Sequence, residues 1–288
     1  MKSIILIAMI AIVSKVCFGQ TDSTVINATD SISAKSTLTL AAVYSNNANY
    51  YGQKATTNLP YAAFAVNYQL KSGFYFTGQT YKLLNDNTST VSAASFGAGV
   101  NFKIGKKLST DLNYSHSFYP KYSPMLQASN LDNASVSLSY NSWIKPTLTG
   151  DYAFGKTSDA FVTGGFSKAI NLFSIGKKDI VTITPSVNAV AGTQHFYQTY
   201  VTQQKLRDSI LGIITGPIFG SPSSSSHSDT VVTTNINLLS YNFKLPLAYN
   251  RAHYLLEAAF QLSVLSNQAQ TGAGKVNSFF TFSFYYQF

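Results

Sequence analysis

The 288-residue chain is 45% apolar and 14% aromatic, with 11% charged residues and a formal net charge of +9. An ordinary soluble domain carries about 25% charge, so this chain cannot clothe a soluble globule, and its apolar content excludes disorder. Its single cysteine excludes an internal disulfide, and nothing reaches the roughly 18–20 consecutive apolar residues of a membrane helix.

Residues 1–19 read as a secretory signal peptide. Lys2 opens a positive stretch, 4–13 form a short apolar core, and Cys17-Phe18-Gly19 is a small-x-small cleavage site before Gln20. That core is too short to span a bilayer. A short buried helix and a lipoprotein signal are the alternatives, and Ser14-Lys15-Val16 fits a lipobox poorly. Cleavage removes Lys2, Lys15 and Cys17 and leaves 18 basic against 11 acidic residues, a net of +7. Residues 20–36 are polar and aperiodic, a periplasmic leader.

From Thr37 to Phe288 side chains alternate with the period of two that a strand imposes. Strands are expected at 37–45, 61–70, 73–83, 92–104, 107–118, 134–143, 147–154, 160–170, 179–191, 235–247, 252–264 and 278–288, twelve in all. In 92–104, Phe96, Val100, Phe102 and Ile104 share one face, with Ser95, Gly97, Gly99, Asn101 and Lys103 opposite. In 107–118, Leu112, Tyr114 and Phe118 oppose Ser109, Asp111, Asn113 and Ser115. Many segments are far longer than the usual 5–6 residues of a soluble strand and match the about 9–11 needed to cross a bilayer. Their polar faces are Ser, Thr, Asn and Gly rather than charge, as a lumen requires and a soluble sandwich does not.

The connections alternate in length. Links 46–60, 84–91, 119–132, 192–234 and 265–277 are long and 155–159 is short, all at one end; the other end has tight or modest links. Outer-membrane barrels show this asymmetry, with short periplasmic turns and long external loops. The short-turn end is basic, with Lys71, Lys106, Lys107, Lys145, Lys177, Lys178 and Arg251 against Asp179. These residues fit anionic headgroups of the inner leaflet, or serve solubility alone.

The last eleven residues, SFFTFSFYYQF, put Phe280, Phe282, Phe284, Tyr286 and Phe288 on one face and Thr281, Ser283, Tyr285 and Gln287 on the other. With the signal-like start and the alternating strands, the chain resembles a Gram-negative outer-membrane β-barrel protein, a likeness to the class and to no single family. The resemblance implies an all-β fold, a transmembrane antiparallel up-and-down barrel of about twelve strands. It implies the outer membrane as location and outer-membrane lipid as surroundings. It also implies that the aromatic face of 280–288 is the signal read by the barrel-assembly machinery.

Chemistry is sparse. His116, His195, His227 and His253 are scattered without metal-ligand spacing, and no phosphate loop appears, so no catalytic residue, metal or cofactor is expected, and no nucleic-acid partner. His116 falls on the apolar face near a loop end, as in outer-membrane phospholipases, but the resemblance fails at Phe118, where that family has its serine. The inward ionisable candidates are Lys103, Asp111, Asp151, Lys244 and Glu257, which would bias a channel's solutes or pair and fill the lumen. In the longest loop, 198–214 carries Val201, Leu206, Ile210, Leu211 and Ile214 at helical spacing, a lid or a contact element. The leading expectation is a passive channel for small polar solutes. An adhesion or structural barrel using 192–234 is second, and a lipid-processing enzyme third.

Overall fold

The computed structural model describes residues 35–86, 89–121, 123–197, 200–202, 204 and 235–288. The expected signal peptide and nearly all of the expected leader lie outside these residues. So does most of the helix expected at 198–214.

Fourteen strands form one sheet: β1 (Thr37–Ser45), β2 (Tyr61–Gln69), β3 (Phe74–Leu83), β4 (Ala93–Ile104), β5 (Leu108–Phe118), β6 (Asp132–Tyr140), β7 (Lys145–Phe154), β8 (Ser158–Ser167), β9 (Ile170–Phe173), β10 (Asp179–Ile183), β11 (Ser186–Gly192), β12 (Asn237–Arg251), β13 (Tyr254–Leu265) and β14 (Val276–Gln287). Each pairs antiparallel with its neighbours. The ring closes twice over: β14 pairs with β1, from Thr39 opposite Gln287 to Ser45 opposite Thr281, and β11 joins β8 to β12.

The fourteen strands make twelve staves. β8 and β9 keep one register, with Ser167 opposite Ser186 and Ile170 opposite Ile183. Likewise, β10 and β11 keep one register against β12, with Ile183 opposite Leu247 and Ser186 opposite Lys244. The break at Thr184-Pro185 is a local lesion. Lys168 N donates to Pro185 O at 3.1 Å and Thr184 N to Pro246 O at 3.1 Å, while neither proline has an N–H to return. The strand expected at 179–191 is therefore one stave with a missing rung. Pro246 does not end β12, which runs to Arg251 rather than stopping at 247, because its absent donor faces the same gap.

Side-chain direction follows the alternation. Phe64, Phe96, Leu112, Tyr114, Leu148, Tyr152, Phe166 and Phe243 are exposed on the outer wall. Ser95, Ser109, Asp111, Asn113, Ser135, Ser137, Gln261 and Ser283 are buried on the inner one. Gly99 shows why a strand glycine is needed: a Cβ there would lie 2.4 Å from the Tyr75 ring.

Candidate functional site: a lumen capped at its long-loop end

Register and burial place all five expected ionisable residues on the inner wall. Lys103 sits toward the short-turn end of β4, and Asp111, Asp151, Lys244 and Glu257 are buried on β5, β7, β12 and β13. Asp111 belongs to a built cluster. Tyr75 Oη donates to its Oδ1 at 2.7 Å, and Asn113 Nδ2 donates to Tyr75 Oη at 3.2 Å. Asp151 lies opposite Ser135 and close to Asn133 and Tyr51. The structure thus joins Asp111 to Tyr75, a residue that carries no charge and drew no notice in the sequence.

The long-loop end is closed by the β1–β2 loop. Tyr50 and Gln53 exchange both backbone hydrogen bonds, at 2.8 and 2.9 Å, around Tyr51 and Gly52, whose φ angles are 52° and 84°. Two positive φ values make a type I′ turn, and glycine relieves one of them. This tip turns inward and is bolted to β12 and β14. Ser240 Oγ donates to Tyr51 O at 2.8 Å and Asn277 Nδ2 to Gly52 O at 2.9 Å. A Cβ on Gly52 would come within 2.6 Å of Ser240 Oγ.

Aromatic rings fill the space around the tip. Tyr51 stacks on Phe161, and Tyr50 meets Phe196 edge-on at 4.8 Å and Phe161 at 5.6 Å. Phe161 is 1% exposed and Phe196 0%. Stacked or edge-on pairs contribute about 0.5–1.5 kcal/mol beyond area burial. Burial, and then the nearby Asp159 charge, pushes the Tyr50 phenol well above its ordinary pKa, so it stays a neutral packing group.

Asp159, 1% exposed, ties the loops together. Its carboxylate accepts from Asn130 Nδ2 (2.9 Å), Thr193 Oγ1 (2.8 Å), His195 N (2.7 Å) and Phe196 N (2.9 Å). Four donors satisfy a buried carboxylate that would otherwise be costly to hold there. Asn130 Nδ2 also reaches Tyr50 Oη at 3.4 Å, and Gln194 bonds Gln268 O and Gln270 N. Four loops thereby hold each other. Helical turns begin at 195, three residues before the expected window. Tyr200 Oη accepts from Thr56 N at 3.2 Å, so this segment props the β1–β2 loop.

Cavities follow the same polarity. Beneath the tip lies about 40 Å³, lined by Tyr50, Tyr51, Ser95 and Ser115, room for a water or two. At the short-turn end a cavity of about 360 Å³ opens between Ile180, Asn250, Arg251, His253, Leu255 and Gln287.

His116 stands on the outer wall, as parity requires. His116 Nδ1 donates to Asp132 Oδ1 at 2.6 Å and Tyr114 Oη to the same oxygen at 2.6 Å, while Phe118 meets the imidazole edge-on at 4.6 Å. Asp132 was missed in the sequence because its partner lies on the adjacent strand, sixteen positions away. Among the described residues, no group of three or more His, Cys, Asp or Glu could hold a metal.

No family model and no curated protein matches the chain. Solved barrels match it in outline. A KdgM porin is 7% identical, with TM-score 0.46, over 87% of this chain and 99% of its own. LpxR from Salmonella typhimurium is 8% identical, with TM-score 0.45, over 87% and 99%. An outer membrane channel from Pseudomonas putida F1 is 12% identical, with TM-score 0.42, over 88% and 96%. At these values the likenesses decide nothing about function.

Proposed function

We propose that the chain is an integral outer-membrane channel for small polar solutes, held closed at its outer mouth by the Tyr50–Gln53 tip. The exterior belongs in lipid: an apolar outer wall on a closed sheet leaves no unpaired edge above the short-turn rim, where β9 alone lacks a second partner among the described residues. The barrel reaches that membrane after export, its last strand read by the barrel-assembly machinery. The carrying observation is the manner of closure. The inner wall carries many buried Ser, Thr, Asn and Gln side chains among its apolar ones, and the outer mouth is shut by a loop tip seated on Ser240 and Asn277, a part that can leave without breaking the barrel. With the tip withdrawn, hydroxyls and amides of the wall replace part of a solute's water, and Asp111, Asp151, Lys244 and Glu257 bias which solutes pass.

Swelling of proteoliposomes in isotonic sugars tests this reading. Loaded vesicles should swell when the tip is shortened, and faster in the smaller sugars. Folded barrel that stays impermeable without its tip supports the second reading, a structural or adhesion barrel. That reading is favoured by the way Asp159 welds the external loops into one packed surface.

A further inference from the structure

The short-turn rim carries a second feature. β9 pairs with β10 alone, so one edge faces the β6–β7 turn without a strand partner among the described residues, and all four of its residues are exposed. Unpaired backbone is not tolerated in hydrocarbon, so this edge marks headgroup level. Beside it stands Trp143, 78% exposed, with Lys168 Nζ 3.9 Å from its ring centroid. On the next turn along, Lys107 Nζ lies 5.8 Å from the Tyr140 ring. An ammonium held over an aromatic face on a lipid-facing wall sits where phosphates are. Leu172, Phe173 and Ile175 continue the apolar band to this level, and Lys177 and Lys178 follow in the β9–β10 turn. The adjacent carboxylate, Asp179, is occupied: Ile175 N and Gly176 N donate to its Oδ1 at 2.8 Å and Tyr249 Oη to its Oδ2 at 3.1 Å.

We infer that this rim is a docking site for anionic phospholipid of the inner leaflet, with Trp143 at the acyl boundary and Lys168, Lys177 and Lys178 on the phosphates. The inference rests on the membrane placement proposed above and is independent of conduction. Three lysines at about 1 kcal/mol each enrich anionic over zwitterionic lipid on the order of 100-fold.

Trp143 is the only tryptophan in the sequence, so its fluorescence reports on this site alone. Folded barrel is placed in phosphatidylcholine vesicles with and without phosphatidylglycerol, either lipid carrying brominated chains. The expected result is stronger quenching of Trp143 by brominated phosphatidylglycerol, lost in Lys168→Gln/Lys177→Gln/Lys178→Gln while the folded, heat-modifiable band persists. Equal quenching by both lipids overturns the inference. So does an emission change produced in phosphatidylcholine by inorganic phosphate, which would assign the site to a soluble anion. Failure of folded barrel to enter vesicles sinks the membrane placement itself.

Discussion

Tyr51 and Phe161 lie ring on ring, centroids 3.8 Å apart and planes 16° from parallel, although 110 positions separate them in the chain. One belongs to a loop tip and the other to the wall stave β8. The contact measures whether the long-loop mouth is closed. Tyr51→Ala removes the stack and leaves the wall intact. Loss of about 1–3 kcal/mol from the closed state should raise proteolytic cleavage within 46–60 by roughly fivefold or more. The heat-modifiable band should be retained.

Asp159→Ala removes at once the acceptor of four donors, three of them in buried bonds. Each orphaned donor costs about 1–3 kcal/mol, though water recovers part of this as the loops part. The expected outcome is loss of loop order with the barrel preserved. Amide exchange at His195 and Phe196 should accelerate on the order of 100-fold or more, while β4 and β5 amides keep their protection.

Phe288 is 64% exposed and touches Tyr286 edge-on at 4.8 Å, while its backbone N–H, which any residue supplies, donates to Leu38 O at 2.9 Å. Its side chain therefore adds little to the finished wall. Phe288→Ser should refold in detergent to nearly wild-type stability, within about 1 kcal/mol, yet assemble poorly in cells. Normal levels of folded protein in the outer membrane would show that the side chain is no address.

Tyr75 of β3 and Asp111, in the short-turn half of β5, set the charge there. Asp111→Asn removes one negative charge from the lumen wall while retaining an acceptor for Tyr75. In a channel with its tip removed, the reversal potential under a salt gradient should shift toward anion preference. No shift would place Asp111 off the solute path.

The wall was legible in the sequence because a strand has one strong signal, alternation, and a barrel repeats it. Phe96 outward and Ser95 inward follow from parity alone, and a closed barrel was what the resemblance to outer-membrane β-barrel proteins implied. The split at Thr184-Pro185 was also written there, since proline cannot complete a ladder rung, but 179–191 read as one strand because its alternation carries on across the gap. The cap was not legible. Asp159 stood at the end of a short link, and its partners Asn130, Thr193 and His195 lie 29, 34 and 36 positions away in segments without periodicity. Helical spacing drew attention to 198–214 as a lid or contact element, most of which lies outside the described residues; among the described residues the closure is made by 46–60. The available hint was Tyr50-Tyr51-Gly52, two aromatics before a glycine inside a polar loop.

Gly52→Val tests the central claim, that a seated tip closes a conducting lumen. The substitution strains a backbone at φ 84° and drives a side chain into Ser240 and Asn242 of β12, so the tip cannot reseat, while no wall residue is replaced. In planar bilayers, folded wild-type protein should be mostly silent, and Gly52→Val should show stable current steps of uniform size. A folded, inserted Gly52→Val barrel that passes no current, or a wild type that conducts equally well, would contradict the account.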